Sequence, residues 1–486
     1  MSRNGKVLFI IHDVYQDDNE FPLGVGYLAA VLQKQEAEVK VCCQDIYHYT
    51  NEELVEKYLK NEDYDLIGVG FLAARFKETI IDLCDTINKY KKNARLILGG
   101  HGASAIPEYV LKTTKADFIA IGESEETIVE LLNAILQNQG FENIKGIAYW
   151  KNNKVVVNER RKPVKHLDEL PHPAWDLFPM DIYTTNMKYP NLGDNEKAIQ
   201  IITSRGCTNR CTFCYRMEKG IRFRKIEDVV EEMKYLYNKY GVTYFVIQDE
   251  LFIASFKRLE RFIDALKENG IYGKIKYNVS VGIRADVATD ELTKMLKDSG
   301  CTYVNIGFES VVQQCLDEYK KNTTVEDNIK SAELMIKHDL RMGINFIWGI
   351  MSDNEETLKK SVEFIKKYNT YAELRTIRPV TPYPGSELYD YAITKGLLSG
   401  PEDFFEKFRN SDLLTVNFTN IPDDDFYKIL FEANKELILD HYEHSEMNLE
   451  EANQMIDNFY NLYFKGFIKF RGARHFERKT EEDLKI

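Results

Sequence analysis

The chain has 486 residues, of which 44% are hydrophobic and only 12 are proline, and it carries a formal net charge of −13. This composition is that of an ordered globular protein long enough for two or three domains, each with its own core. The acidic balance argues against a nucleic-acid partner, because phosphate contacts need a positive surface. No apolar run approaches the ~20 residues of a membrane span, and the apolar core of the N-terminus is too short for a signal peptide. We therefore expect a cytoplasmic protein, in which the eight cysteines do not form a disulfide framework.

Residues 1–140 alternate apolar runs of strand length with segments of helical periodicity. The five runs are KVLFIIH, EVKVCC, DLIGVG, RLILGG and FIAIG. Five βα units of this size predict a doubly wound, Rossmann-like parallel sheet with helices on both faces. Glycines stand at the carboxyl ends of three of these strands, at Gly68 and Gly70, Gly99 and Gly100, and Gly122. Because open α/β sheets bind ligands at that edge, we expect it to hold a flat or extended small molecule; tight turns are the alternative explanation for each glycine.

Residues 141–198 have the composition of a connector. The segment IKGIAYWKNNKVVVN is typical of a hairpin that turns at Asn152–Asn153, and LDELPHPAWDLFP is a proline-punctuated linker. Residues 199–394 contain a second alternating series, with helical segments near 226–240, 256–269, 290–299, 324–338 and 355–368. Its strand-like runs are AIQIIT, YFVIQ, KYNVSV, YVNIG, INFIWG and LRTIRP. The series predicts a partial TIM-type (β/α)6 barrel, followed by a helical, aromatic C-terminal region over residues 395–486.

Three cysteines, Cys207, Cys211 and Cys214, follow the first strand of the predicted barrel in the segment GCTNRCTFC. This is the carboxyl-terminal rim, where barrel enzymes carry out their chemistry. A zinc site usually takes four protein ligands, and no second Cys or His pair of suitable spacing lies nearby. A cubane iron–sulfur cluster has four irons, so three thiolates leave one iron open to bind another molecule. The spacing therefore favours a catalytic [4Fe–4S] cluster; chance cysteines or a set of redox thiols are the alternatives.

The pattern C-x3-C-x2-C, with Phe213 before the last cysteine, resembles the signature of the radical S-adenosylmethionine (SAM) enzymes. Segments along the chain resemble the cobalamin-binding branch of that superfamily, among them PLGVGYLAAVL, LILGGHGAS, ADFIAIGESEETIVELL, RFRKIEDVVEEMKYL, VNIGFES and PVTPYPGSELY. The resemblance implies an enzyme with three cofactors: a [4Fe–4S] cluster, SAM and cobalamin. It also implies reductive cleavage of SAM to a 5′-deoxyadenosyl radical, with electrons from an external one-electron donor such as flavodoxin or ferredoxin.

The resemblance further implies that barrel strand ends contact SAM. The candidate residues are Phe213, Gln248, Asp249, Glu250, Arg284 and Glu309. The superfamily usually has a glycine-rich acidic motif at the end of the second strand, and this chain departs from it, so the roles of residues 248–250 stay open. Arg284 can pair bidentately with the methionine carboxylate, and Glu309 can accept hydrogen bonds from the ribose hydroxyls or the amine. The alternative is that Arg284 and Glu309 pair with each other in a structural salt bridge.

For cobalamin, the resemblance implies contacts from loops at the carboxyl edge of the first sheet. The candidate residues are Leu23, Gly24, Gly26, Phe71, Leu72, Arg75, Gly99, Gly100, His101, Gly122 and Glu123. Methyl-carrying corrinoid proteins use a D-x-H-x-x-G motif, whose histidine lies beneath cobalt, and that motif does not occur in this sequence. We therefore expect base-off binding without a histidine ligand, with the loop FLAARF (71–76) shielding the lower face of the corrin.

Four classes of function fit these expectations to different degrees. The first is a cobalamin-dependent radical methyltransferase acting on an unactivated carbon, and the second is a radical cyclase or rearrangement enzyme without methyl transfer. A methylthiotransferase is less favoured, because that family has three cluster cysteines in its N-terminal domain, and a non-catalytic corrinoid or cluster sensor leaves the barrel unexplained. A small molecule, a lipid and a peptide are alternative substrates. Aromatic side chains of the C-terminal region either face the substrate or form core: Phe404, Phe405, Phe408, Tyr460 and Tyr463.

Overall fold

The computed structural model describes residues 4–14, 20–187, 189, 192–252, 255–408 and 410–465. The chain forms two compact units. The first comprises Met1–Met187 together with Tyr215–Glu218, and the second comprises Lys188–Cys214 and the described residues from Lys219 onward. Among the described residues, no helix is both long enough and apolar enough to cross a membrane.

The first unit is built on a seven-stranded sheet in the order β2-β1-β3-β4-β5-β6-β7. Its strands are β1 (Lys6–Ile11), β2 (Glu38–Cys43), β3 (Leu66–Gly70), β4 (Arg95–Gly99), β5 (Phe118–Ala120), β6 (Ile147–Lys151) and β7 (Lys154–Val157). The first five strands are parallel, which confirms the predicted doubly wound sheet. Because β2 and β3 lie on opposite sides of β1, the strand order reverses there, and ligands of open α/β sheets bind at the carboxyl end of such a reversal.

Helices cover this sheet, and several α-helices adjoin short 3-10 or π-helical segments. The α-helices are Leu23–Lys34, Gln44–Tyr47, Asn51–Leu54, Ile81–Tyr90, His101–Ser104, Pro107–Thr114, Glu125–Leu136 and Met180–Tyr183. Two π-helical turns, Val55–Leu59 and Phe76–Ile80, adjoin them, and short 3-10 turns occur at Ala73–Arg75, Leu167–Glu169 and Trp175–Leu177. The predicted loop at 71–76 is therefore largely helical. Its π turn follows a 3-10 turn directly, so no regular helical period marks its start in the sequence.

The hairpin at residues 147–157 turns at Asn152 and Asn153, as predicted. Both asparagines have a left-handed backbone, with φ of 50° and 60°, which suits the tight turn of a two-residue hairpin. Strand β6 pairs antiparallel with β5, so the hairpin extends the first sheet instead of standing apart in a connector. The first unit continues to Met187, beyond the boundary at residue 140 that the sequence suggests. Aromatic packing explains the difference, since the linker's Trp175 lies 4.3 Å, centroid to centroid, from the ring of Phe21.

The second unit contains an open six-stranded parallel sheet in the order β15-β14-β13-β12-β11-β8. All strands of the unit, including a separate antiparallel pair β9–β10, are β8 (Lys197–Ile201), β9 (Ser204–Cys207), β10 (Gly220–Phe223), β11 (Val242–Ile247), β12 (Lys276–Ile283), β13 (Cys301–Glu309), β14 (Arg341–Trp348) and β15 (Arg378–Pro379). Neighbours in this sheet follow one another in the chain except β8 and β11, which are separated by the β9–β10 pair, and within the described residues the two edge strands do not pair with each other. This is the partial barrel that the sequence predicts.

The helices of the second unit follow the predicted segments closely. They are Ile226–Tyr240, Phe256–Glu268, Asp290–Asp298, Gln313–Glu318, Val325–Lys337, Glu355–Tyr368, Glu387–Thr394, Pro401–Lys407, Asp423–His444 and Leu449–Phe464, with a 3-10 turn at Ala285–Val287. The helical C-terminal region is thus confirmed as far as residue 465, and the rest of it lies outside the described residues. Of the aromatic residues considered for substrate contact, Phe404, Phe405 and Phe408 are buried in the core, whereas Tyr460 is 44% exposed.

Gly68 in β3 is required by packing and not by ligand approach. A Cβ atom added there would lie 2.7 Å from the ring of Phe9, and Phe9 is itself buried in the core of the first unit. Gly70, at the end of the same strand, has no atom within 4 Å of such a Cβ. The two glycines therefore have different physical explanations although they are two residues apart.

Replacing Gly68 by Ala is expected to lower the free energy of unfolding by about 1–3 kcal/mol, because overpacking a rigid core forces side chains out of place. Gly70→Ala is the matched control, and its expected effect stays within about 0.5 kcal/mol. Urea unfolding of the cofactor-free protein measures both changes. Equal midpoints for the two variants would contradict the packing explanation.

Candidate active site

The cysteine loop begins inside a β-hairpin that the sequence does not reveal. Cys207 is the last residue of β9 and lies opposite Gly220 of β10. Gly206 has φ of 90°, and a Cβ atom there would lie 2.2 Å from the carbonyl oxygen of Gly220, so only glycine permits this pairing. The loop then turns back on itself, since the backbone N–H of Cys214 donates to the carbonyl of Cys211 at 3.2 Å. Cys207 is thus fixed by a sheet and the other two cysteines by a turn.

The three thiols suit a cluster better than a single ion. Among the described residues, no three His, Cys, Asp or Glu side chains are arranged to hold one metal ion. A cubane does not need such convergence, because each thiolate binds a different iron. Cys207 and Cys211 are half-buried and none of the three forms a disulfide. Desolvation raises the pKa of the Cys211 thiol and raises that of Cys214 to about 12, so these groups would ionise only as they bind metal.

Asp249 anchors the strand that carries the first cysteine. Its buried carboxylate accepts hydrogen bonds from the backbone N–H of Thr203 at 2.6 Å and from the hydroxyl of Ser204 at 2.9 Å, at the start of β9. Burial raises the pKa of Asp249, and these hydrogen bonds oppose that shift. The geometry gives Asp249 a positioning role on the cysteine strand, while its contact with SAM stays a prediction.

Arg284, which follows β12, holds the cysteine loop from another side. Its guanidinium donates to the side-chain oxygen of Asn209 at 2.7 Å, and the backbone N–H of Asn209 points to the sulfur of Cys207 at 3.4 Å. The same guanidinium forms a bidentate pair with Asp286, with distances of 2.7 and 2.6 Å. The alternative that Arg284 pairs with Glu309 is therefore wrong.

Glu309 instead pairs with Lys321, a residue that the sequence did not single out. The ammonium lies 2.7 Å from the carboxylate, and the two side chains are only 12% and 11% exposed. Burial lowers the pKa of Lys321, but the charge of Glu309 and the nearby Cys211 and Cys207 raise it by more, so Lys321 stays protonated. In the sequence, the one indication of this partner for Glu309 is that Lys321, the second lysine of KKNTT, follows shortly after GFES.

The remaining SAM candidates lie in the cysteine loop or directly after β11. Phe213 packs edge-to-face on Tyr319, with ring centroids 5.4 Å apart. The backbone N–H of Gln248 donates to the carbonyl of Ile201 at 2.9 Å, which continues the pairing of β11 with β8. Glu250 is exposed, and its charge adds to the desolvation that raises the pKa of Cys214. The second unit therefore places five of the six SAM candidates at the carboxyl ends of β11, β12 and β13, and the sixth, Phe213, in the cysteine loop after β9.

In the first unit, three residues of the loop after β3 differ in burial and in contacts. Phe71 is buried and stacks on Phe76 at 5.4 Å. Leu72 is 63% exposed, so it is the apolar residue of this loop that a ligand can cover. Arg75 points back to the strand β1 loop, where it donates to the carbonyl of Val14 at 3.1 Å. Of the three cobalamin candidates in this loop, only Leu72 presents an apolar side chain to the surface.

The glycine-rich loop after β4 packs on Phe71. Gly100 has φ of 88°, and a Cβ atom there would lie 3.0 Å from the carbonyl oxygen of Phe71. Next to it, His101 begins the short helix His101–Ser104 and is exposed, yet desolvation lowers the pKa of its imidazole. Its ring lies 6.0 Å from the ring of Tyr215, edge to face. Desolvation therefore favours the neutral form of the His101 imidazole, which lies beside Tyr215.

The other cobalamin candidates lie around the same edge. Leu23, Gly24 and Gly26 form the first turn of the helix Leu23–Lys34. A Cβ atom at Gly26 would lie 2.9 Å from Pro173 of the linker, so packing explains that glycine. Beyond β5, the backbone N–H of Gly122 donates to the hydroxyl of Ser104 at 3.1 Å. Gly99 ends β4, and Glu123 accepts a hydrogen bond from the backbone N–H of Val164 at 3.1 Å.

Two family models match this chain, one over much of the sheet of the first unit and one over much of the sheet of the second unit. Residues 16–132 match the B12 binding domain, and residues 201–365 match the radical SAM superfamily. The chain belongs to the radical SAM superfamily, in its branch with a cobalamin-binding domain, and it is an enzyme whose cofactors are a [4Fe–4S] cluster, SAM and cobalamin.

Relatives with named functions include methyltransferases and a cyclase. The chain is 29% identical over 384 residues to an uncharacterized methyltransferase, PH0819, of Pyrococcus horikoshii, with 78% of this chain and 79% of that protein covered. It is 25% identical over 378 residues to the anaerobic magnesium-protoporphyrin IX monomethyl ester cyclase of Cereibacter sphaeroides, with 76% and 60% covered. Its fold is similar to that of the radical SAM methyltransferase TsrM from Kitasatospora setae, with a TM-score of 0.67, 17% identity, and 82% of this chain and 76% of that chain covered.

Replacing Asp249 by Ala is expected to destabilise the protein by about 1–3 kcal/mol, because buried donors of Thr203 and Ser204 would lose their acceptor. The same variant should also retain less iron after reconstitution, since the strand that carries Cys207 would no longer be anchored. Urea unfolding and iron content per chain measure the two effects. Glu250→Ala is the control at the neighbouring exposed position, with an expected change within about 0.5 kcal/mol; equal effects of both variants would contradict the anchoring role.

Proposed function

We propose that this enzyme is a cobalamin-dependent radical SAM methyltransferase that methylates an unactivated carbon of a small molecule or natural-product intermediate. The observation that carries the proposal is the three-cysteine loop, which is held at the carboxyl ends of an open parallel sheet by Asp249 and Arg284. Two facts support the proposal: three thiolates would leave a fourth iron free for SAM, and the same chain has a separate B12-binding domain.

Cys207, Cys211 and Cys214 would hold the cluster, and the bound cluster supplies the electron that cleaves SAM. Glu309 ends β13 with its carboxylate buried, where it can accept hydrogen bonds from the amine or the ribose of SAM. The further proposed contacts are Phe213, Gln248, Asp249, Glu250 and Arg284. An external one-electron donor of the flavodoxin or ferredoxin kind would supply the electron to the cluster, and we place the enzyme in the cytoplasm.

Cobalamin would lie along the carboxyl edge of the first sheet, beside the reversal of strand order at β1 and β3, and would carry the methyl group. Leu72 is the exposed apolar residue available to shield its lower face. Because no D-x-H-x-x-G motif occurs, we expect base-off binding in which His101 is not a ligand.

Methyl transfer is preferred over cyclisation because the relative named as a methyltransferase aligns over 79% of its length and the cyclase over 60%. A cobalamin-dependent radical cyclase is the second candidate, and the similarity to that cyclase favours it. The two reactions consume SAM differently. A methyltransferase converts one SAM to S-adenosylhomocysteine as the methyl donor and a second to methionine and 5′-deoxyadenosine, whereas a cyclase forms no S-adenosylhomocysteine.

The first test combines anaerobically reconstituted enzyme, dithionite, SAM with a deuterated methyl group and the small-molecule fraction of a cell extract. We expect S-adenosylhomocysteine and 5′-deoxyadenosine in equal amounts, and a deuterated methyl group in one extract component, all measured by mass spectrometry. The triple variant Cys207→Ala, Cys211→Ala, Cys214→Ala should lack the cluster and form no 5′-deoxyadenosine. Formation of 5′-deoxyadenosine alone by the wild type would support the cyclase, and an active triple variant would refute the cluster assignment.

The second test concerns the mode of cobalamin binding. Hydroxocobalamin should bind in one-to-one proportion with a base-off absorption spectrum, and His101→Ala should leave that spectrum unaltered because the imidazole is not a ligand. Absorption spectroscopy after removal of unbound cobalamin measures both. A histidine-on spectrum that disappears in His101→Ala would overturn the mode of ligation, and absence of binding would overturn the proposed site.

A further inference from the structure

The ion pair of Glu309 and Lys321 lies next to the cysteine loop, because Thr212 of that loop is hydrogen-bonded to Glu318 and Tyr319, shortly before Lys321 in the chain. With 12% of the Lys321 side chain and 11% of that of Glu309 exposed, water screens these charges weakly. Charges at this depth act on each other far more strongly than charges on the surface. The pair is therefore placed to influence whatever charge the cysteine sulfurs carry.

The segment that carries Lys321 is fastened to the cysteine loop. The backbone N–H of Thr212 donates to the carbonyl of Tyr319 at 3.0 Å, and its hydroxyl donates to the carbonyl of Glu318 at 3.3 Å. The backbone N–H of Lys321 donates to the carbonyl of Leu316 at 3.0 Å, which closes the end of the helix Gln313–Glu318. The segment that carries Lys321 is therefore held against the cysteine loop, and the ion pair with Glu309 holds the Lys321 ammonium in place.

The backbone of β13 is shaped around the pair. A Cβ atom at Gly307 would lie 2.5 Å from the Glu309 carboxylate and 2.8 Å from the Lys321 ammonium, so a side chain there would displace the pair. Glu309 itself has φ of 60°, a left-handed conformation that a non-glycine residue keeps only where its surroundings demand it. Both features show that the position of the two charges is specified by the fold.

We propose that Lys321 and Glu309 form a pair of opposed fixed charges that sets the reduction potential of the cluster. The inference rests on the proposed function, since Cys207, Cys211 and Cys214 must hold the cluster. A [4Fe–4S]2+ core with three thiolates carries a net charge of 1−, and one electron from the external donor makes it 2−. A buried cation favours the more negative state and a buried anion disfavours it, and net charge is a known determinant of cluster potentials. Lys321 therefore acts on the cluster through its charge, and it shifts the reduction potential in the direction opposite to that of Glu309.

The experiment is a redox titration of reconstituted full-length protein in the absence of SAM, followed by electron paramagnetic resonance of the reduced cluster. In Lys321→Met, the ratio of reduced to oxidised cluster at a fixed potential should fall at least tenfold, which corresponds to about 59 mV for a one-electron couple. In Glu309→Gln, the same ratio should rise severalfold, and the double variant should lie between the single variants. Lys320→Met is the matched control, because Lys320 is the neighbouring lysine, exposed and paired with Glu387, and its titration should match the wild type.

Shifts of the same sign in Lys321→Met and Glu309→Gln, or no shift in either, would overturn the inference, because a purely structural ion pair has no reason to produce opposite shifts. If Lys321→Met loads no iron, the Glu309→Gln titration decides alone, and a ratio that does not rise overturns the inference. A wild-type protein that assembles no cluster would overturn the proposed function itself, so the two failures are distinguishable.

Discussion

The rigidity of the cysteine loop is the constraint on which the site in the second unit depends. In the proposed site three thiolates would bind three irons of one cluster and leave the fourth iron accessible, and a loop that is already held in shape favours this arrangement. The fold achieves this from three directions. Asp249 after β11 holds the start of β9, Arg284 after β12 holds Asn209, and the end of the helix Gln313–Glu318 holds Thr212. Each contact comes from a different part of the sheet edge, and the parallel sheet brings them together.

Much of this architecture follows from the sequence because it depends on local patterns. The helix Ile226–Tyr240 matches the predicted segment since its apolar residues recur at the helical period and Gly241 ends it with a left-handed backbone. The turn at Asn152–Asn153 was predictable because asparagine tolerates positive φ. The cysteine spacing predicts a metal-binding loop for a chemical reason that needs no tertiary structure.

The rest depends on contacts between distant residues, which no local pattern encodes. The β9–β10 hairpin has strands of only four residues, too short to show alternation. The buried partner of Glu309 is Lys321, and only the folded helix that precedes Lys321 makes that contact visible. Asp249 is of a residue type that often binds ligands, yet its buried oxygens accept hydrogen bonds from the backbone N–H of Thr203 and the hydroxyl of Ser204, at the start of β9. For Glu309 and Asp249, the sequence indicates the residue type, and only the folded structure shows the residues with which it pairs.

The assignment of Tyr215–Glu218 to the first unit, directly after the cysteine loop of the second, has a consequence for how the protein is made. Arg160 pairs with Glu218, and His101 packs on Tyr215, so the first unit borrows contacts from a segment that follows it in the chain. On the ribosome, domains generally fold as units while later residues are still being added. Here the N-terminal unit lacks the contacts of Tyr215 and Glu218 until β8 and β9 have been synthesised. A gene fusion or truncation that ends at Met187 would therefore produce a first unit without the contacts of Tyr215 and Glu218. This favours the transfer of the cobalamin-binding domain together with the cysteine loop during evolution.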